Sequence, residues 1–196
     1  EVNLYDFPSF GQGIAIPYGI YDIGQNQGFV SVGTSHNTAE FAIAAIRRWW
    51  LMMEPLLYPD QKHVLIEADC GSSNGNRSRV WKMGLQLLAD EFGLIITVTH
   101  YPTGASKWNP IEHRMFNLIS ANWAGEPLDS YETILNHIRT TTSTTGFCCQ
   151  VQWDTTEYEL NKKVSNKDFD GLHIRSHKRF PKWNYAIYPR TPKPVV

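Results

Sequence analysis

Long hydrophobic runs are missing from this chain of 196 residues: no apolar stretch approaches the roughly 18 residues that a membrane span requires. Cysteine is scarce, with Cys70, Cys148 and Cys149 and no C-x-x-C spacing, so neither a disulfide framework nor a zinc site is indicated and a reducing, cytosolic compartment is expected. No H-E-x-x-H or comparable ligand spacing links His36, His63, His100, His137, His173 and His177, and these residues receive no metal role. The chain opens Glu1-Val2-Asn3-Leu4, without Met or a charged-then-apolar leader, which reads as a trimmed chain rather than a secretory precursor. Acidic residues stop before Gly171. Beyond that point Arg175, Lys178, Arg179, Lys182, Arg190 and Lys193 contribute +6, leaving 12 basic against 19 acidic residues in the rest, so the net charge of −1 conceals an acidic body and a basic arm.

What is present describes a globular domain. Hydrophobic residues make up 42% and charged residues 19%, which excludes a disordered or fibrous chain, and the length suits one domain with a genuine core. Aromatics reach 13%. Gly13 to Asp22 and the run FVSVGTS flank turn residues and predict a β-hairpin. Asn37-Thr38-Ala39-Glu40 has capping-box spacing ahead of a long amphipathic helix that persists to Pro59. His63 to Ala68 predicts a strand, Val80 to Gly93 a helix and Leu94 to Thr99 a second buried strand, an order that implies parallel strands flanked by helices. Asn109 to Trp123 and Pro127 to Ile138 predict two more helices, Thr140 to Thr145 a linker, and Phe147 to Trp153 another strand.

Two carboxylates stand out by position. Asp69 ends a predicted strand, where the catalytic groups of open α/β sheets gather, although an Asp there also starts turns by accepting backbone N–H groups. Glu67 shares that strand face and is expected to lie deeper. Glu112 opens a helix directly after the second strand's loop, where it can face Asp69 across the strand ends or close a capping box on Asn109. A pair of carboxylates suits magnesium, which prefers oxygen ligands and keeps several waters. Asn74, Lys107, His113 and Arg114 flank the acids, and Asn74, Lys107 and Arg114 are DNA-contact candidates. Lys107 and Arg114 are the stronger phosphate-contact candidates, and Trp108 either stacks on a base or, as its usual burial favours, anchors the loop. The basic arm carries Phe180, Trp183, Tyr185 and Tyr188 among its charges, which suits a phosphate backbone or docking onto the body. Lys178 and Arg179 are its DNA-contact candidates.

The stretches IPYGIYDIGQNQGFVSVGTSHNTAEFAIAAIRRWW, IEADCGSSNGNRSRVWK and THYPTGASKWNPIEHRMFNLISANWAG resemble the Rhodopirellula-type transposases, bacterial insertion-sequence enzymes with a DDE catalytic domain. The likeness extends from Val2 to Arg190, and the N-P-I-E segment is also similar to the third-acid region of mariner-like transposases. The resemblance implies an α/β, RNase H-like mixed sheet with antiparallel hairpin strands followed by parallel strands, flanked by helices. It makes Asp69 the second acid and Glu112 the third, both catalytic and metal-ligating, and puts the first acid on a strand upstream of Glu1. Asp6 and Asp22 do not stand in the matching context, so this chain by itself is expected to be inactive.

On this reading residues 1–170 form the catalytic domain and residues 171–196 a basic aromatic segment packed on it or extending from it. The reaction is cleavage and strand transfer of double-stranded DNA at element ends, with magnesium or manganese as cofactor, in-line displacement at phosphorus, and two metals about 3.5 to 4 Å apart in the intact enzyme. A homo-oligomeric synaptic complex in the bacterial cytoplasm, associated with the nucleoid and with no membrane partner, is expected. A noncatalytic DNA-binding or assembly remnant and a related RNase H-like nuclease are the alternatives. No helix-turn-helix is evident in the sequence.

Overall fold

A computed structural model describes residues 13–102 and 104–190. Asp6 and Lys193 lie outside the described residues. The chain is mixed α/β, with antiparallel and parallel strands in mixed sheets flanked by helices, compatible with an RNase H-like fold. The described residues divide into two compact units, one formed by those up to Asn37 with Lys107–Tyr158, the other by those of Thr38–Ser106 with those from Glu159 onward.

In the first unit, β1 (Ile16–Asp22) and β2 (Gln27–Gly33) form the expected antiparallel hairpin, and β5 (Cys148–Asp154) joins β2 in parallel, in the order β1-β2-β5. Asp22 caps the hairpin turn by accepting the Gln25 N–H at 3.1 Å. A short helical stretch, Glu112–Phe116, leads into α3 (Asn117–Asn122), and α4 (Tyr131–Thr140) follows a Ser130 cap. Val30, Val32, Met115, Ile119, Ile134, Ile138, Phe147 and Cys149 form its core. Burial pushes the Cys149 thiol up to about 12, with a smaller contribution from the neighbouring Cys148. Thr140 to Thr145 is not a linker: Thr141 is buried, Thr142 bridges to Cys148, and Ser143 accepts the Phe147 N–H, so the segment is a tight turn into β5.

In the second unit, α1 (Ala39–Leu57) is capped by Thr38 rather than Asn37, because the Thr38 hydroxyl accepts the Phe41 N–H, while Glu40 pairs with Lys162 instead of closing a box. The parallel pair β3 (His63–Ala68) and β4 (Ile95–His100) is joined through α2 (Arg79–Phe92), which Ser78 caps and Gly93 ends in the left-handed conformation at φ 65°. A Cβ on Gly84 would run into Ile43, so this glycine lets α1 and α2 approach closely. α5 (Asn166–Asp170) is held to α2 by Arg79, which donates to Asn166 at 2.6 Å and lies 4.7 Å over the Phe169 ring.

The basic arm docks. Its strands β6 (Ile174–Ser176) and β7 (Asn184–Ile187) pair antiparallel with each other, and β7 pairs with β4, giving the order β3-β4-β7-β6. Tyr185 and Ile187 are buried, and Arg190 grips Asp90 through its guanidinium, at 2.6 and 2.8 Å, and its backbone N–H. Burial works to raise the Asp90 carboxyl, but the bonds from Arg190 and Gln86 outweigh it and hold the group below its usual value.

Candidate active site

Asp69 leaves the C-terminal end of β3, where the chain turns sharply: Cys70 adopts φ 61°, a left-handed conformation that a non-glycine residue rarely holds. Burial raises the Cys70 thiol, with the Asp69 charge adding to it and a backbone hydrogen bond from Asn76 opposing it. Asp69 Oδ1 accepts the Gly71 N–H at 3.1 Å, so the turn role weighed from sequence is present, and it occupies one carboxylate oxygen. Glu67 does not lie deeper. It is exposed on β3, an outer strand of its sheet, and its Oε2 accepts the Tyr101 hydroxyl at 3.0 Å.

The loop after Asp69 is tied at several points. His100, at the end of β4, sets Nε2 3.0 Å from the Asn74 carbonyl and Nδ1 2.9 Å from the Trp183 carbonyl. Ser78 N–H bonds the Gly75 carbonyl, and the Asn76 amide donates to the Lys182 carbonyl at 3.2 Å. Asn74 is itself buried, and its Oδ1 has no hydrogen-bond partner. The oxygens of Asp69 and the Asn74 Oδ1 all lie within 4 Å of the point where a Cβ would sit on Gly71, so an alanine there would fill the space they share.

The same ties fasten the β6–β7 turn to this loop. His177 N–H bonds the Asn184 carbonyl, and Trp183 and Asn184 both donate to Phe180, which sits at φ 51°. Lys178, Arg179 and Lys182 are exposed on that turn, and Phe180 is 70% exposed among them. Neither the hairpin nor the role of His100 is legible in a residue-by-residue reading of the arm, although the aromatic and basic spacing signals that the segment has a fixed face.

Glu112 belongs to the other unit. Asn109 is buried and its Oδ1 reaches the Ile111 N–H at 3.4 Å, while the Glu112 N–H bonds the Asn109 carbonyl at 3.1 Å. The Glu112 carboxylate makes no bond to Asn109, so the capping box does not form and the group is left half-exposed. Glu112–Phe116 is a π-helical turn, in which the Asn117 N–H reaches back to the Glu112 carbonyl. Such turns cost hydrogen-bond geometry and recur at functional positions. Met115 anchors this one, fully buried against β1 and β2 beside two of the hairpin's glycines: a Cβ on Gly28 would lie 2.9 Å from Met115 Sδ, and one on Gly19 would run into Met115 and lie 2.6 Å from Phe116 Cζ. Trp108, expected to be buried, is 71% exposed, with Lys107 Nζ 5.4 Å from its ring centre. Arg114 is exposed, and His113 Nε2 lies 2.5 Å from the Lys107 carbonyl.

The Rhodopirellula transposase DDE domain model matches residues 1–189. This chain belongs to that family. Its membership makes this a transposase domain of the DDE class, whose members act on DNA and use divalent metals. No curated protein and no solved structure matches the chain. Among the described residues no three His, Cys, Asp or Glu side chains cluster to hold a metal, and no helix is long and apolar enough to cross a membrane. Asp69 and Glu112 fall within the matched DDE domain, one in each compact unit.

Proposed function

We propose that this chain is the catalytic domain of an insertion-sequence transposase in which Asp69 and Glu112 are the second and third acids of the metal-dependent cleavage and joining of double-stranded DNA. The observation that carries the reading is the Asp69 loop, a strand-end carboxylate with one oxygen committed to Gly71 and the Asn74 Oδ1 gathered with it around Gly71. That donor set fits magnesium or manganese, which take oxygen ligands. Bound divalent cations in this class polarise the phosphodiester and stabilise the leaving oxygen. Asp69 and Glu112 would hold them, and Oδ2 of Asp69 is the free oxygen on its side. A water attacks in cleavage and a DNA 3′-hydroxyl in joining, in line with the leaving oxygen, and no protein side chain forms a covalent intermediate.

Lys107, Arg114, Lys178 and Arg179, all exposed, contact phosphates and position the DNA without reading its sequence. Trp108 and Phe180 offer exposed rings on which bases stack. The carboxyl-terminal segment acts with the catalytic domain, and two copies operate together on paired element ends. The basic β6–β7 turn equally suits a module that binds DNA without cleaving it, and metal binding separates the readings. In a calorimetric titration with magnesium or manganese, Asp69→Ala and Glu112→Ala are expected to lose most of the heat seen with the parent. Variants that bind as the parent does would remove both acids from the metal site.

A further inference from the structure

The Asp69 loop contains an oxygen that its own fold leaves without a partner. Asn74 is 9% exposed, and its Oδ1 is buried with no hydrogen bond. Looseness does not explain this, because the Asn74 carbonyl is clamped by His100 Nε2 at 3.0 Å and the next residue's carbonyl accepts the Ser78 N–H at 2.9 Å. Buried oxygens are almost always paired, so one that the protein's own groups do not satisfy calls for a partner such as a water or an ion.

The neighbours of that oxygen identify the guest's charge. A Cβ on Gly71 would lie 3.3 Å from Asn74 Oδ1, 3.3 Å from Asp69 Oδ1 and 3.7 Å from Asp69 Oδ2. A side chain on Gly71 would crowd these oxygens, an effect of space and not of backbone conformation, since its φ does not fall in the left-handed region. Three acceptor oxygens converge there, one side chain anionic and the other neutral. A phosphate, itself all acceptor, gains nothing from Asn74 Oδ1, whereas a hard cation takes carboxylate and amide oxygens together.

We propose that Asn74 Oδ1 is a metal ligand, sharing with Asp69 the divalent cation of the transposition reaction. The inference rests on the reading of Asp69 as a metal-bearing acid, and it gives Asn74 a role in place of the phosphate contact expected from its position in the sequence. The neutral oxygen completes the coordination shell without adding to the negative charge that DNA must approach. His100 serves this arrangement by fixing the Asn74 backbone, and Gly71 by leaving the space open.

The test is a manganese titration of the whole chain, with free Mn²⁺ followed by electron paramagnetic resonance, on the parent, Asp69→Asn, Asn74→Ala and Asn74→Asp. Asp69→Asn is expected to abolish binding, Asn74→Ala to weaken it about 10-fold or more, as loss of a ligand or its support does, and Asn74→Asp to retain or tighten it. DNA affinity of Asn74→Ala without metal should equal that of the parent. If Asn74→Ala binds manganese as well as the parent while Asp69→Asn does not, Asn74 is no ligand and this proposal falls with the metal reading intact. If Asp69→Asn also binds as the parent, the metal reading fails with it. Should Asn74→Ala not fold, the near-isosteric Asn74→Asp decides, and weaker binding by that variant overturns the proposal.

Discussion

The two acid-bearing segments are supported in opposite ways. The loop at Asp69 is held by polar ties, from His100, Asn76, Ser78 and the Gly71 N–H, and it turns its unpaired oxygen inward. The turn at Glu112 is held by apolar weight, with Met115 sunk against Gly19 and Gly28, and it turns its charges and an exposed Trp outward. A site that must present oxygens to a small hard ion needs their positions fixed by directional bonds, which hydrogen bonds supply and dispersion contacts do not. A segment that meets a long, uniformly charged polymer needs exposed cations on a firm base, and the buried Met115 supplies much of that base. On the proposed function, the contrast suits the first segment chiefly to holding a metal and the second chiefly to meeting the DNA backbone.

The comparison can be broken at the apolar anchor first. Gly28→Leu places a side chain where Met115 Sδ, Phe147 and Cys149 already lie within 3.0 Å, and it should destabilise the unit that carries Glu112 by about 3 kcal/mol, the upper range for overpacking, in a urea titration. Manganese binding that depends on Asp69 should survive the same substitution. Tyr185→Phe attacks the polar side: Trp81 Nε1 donates to the Tyr185 hydroxyl at 3.0 Å in full burial, and leaving that donor unpaired should cost about 2 kcal/mol in the unit that carries Asp69.

Trp108→Ala should lower affinity for single- or double-stranded DNA by about 1 kcal/mol, read by fluorescence anisotropy, with the melting temperature unchanged because the ring is exposed. A large drop in melting temperature would instead return Trp108 to the anchoring role. The smallest effect concerns pH. Asp90 has a lowered pKa in the fold, so its contribution to stability is fully present above the ordinary carboxylate value and is lost as pH falls through the depressed folded value. Arg190→Ala should therefore flatten the acid limb of a stability-against-pH curve, and an unchanged limb would show that the arm is not secured there.

The sequence makes the regular elements legible because hydrophobic period and capping chemistry are local. β3 occupies His63 to Ala68 as the pattern predicts, and α2 ends at Gly93 for the conformational reason expected. Asp69 and Glu112 are legible for a related reason, since each stands at the end of an element. What escapes a linear reading depends on distant partners. Asn74 looks like any loop amide until Gly71, Asp69 and His100 are brought around it. The Met115 anchor depends on two glycines nearly ninety and a hundred positions away, and the burial expected of Trp108 follows from residue statistics that an exposed loop overrides. The basic arm divides likewise: Arg190 is spent on Asp90, whereas Lys178 and Arg179 remain outward, a distinction that charge counting does not contain.

The most direct test of the central claim is joining of a pre-cleaved DNA end to a supercoiled target with manganese, by an intact transposase that includes this domain. Substituting Asp69→Asn or Glu112→Gln is expected to reduce joined product to background while DNA binding persists. Joining at the parental level by either variant would contradict the assignment of that acid to the chemistry.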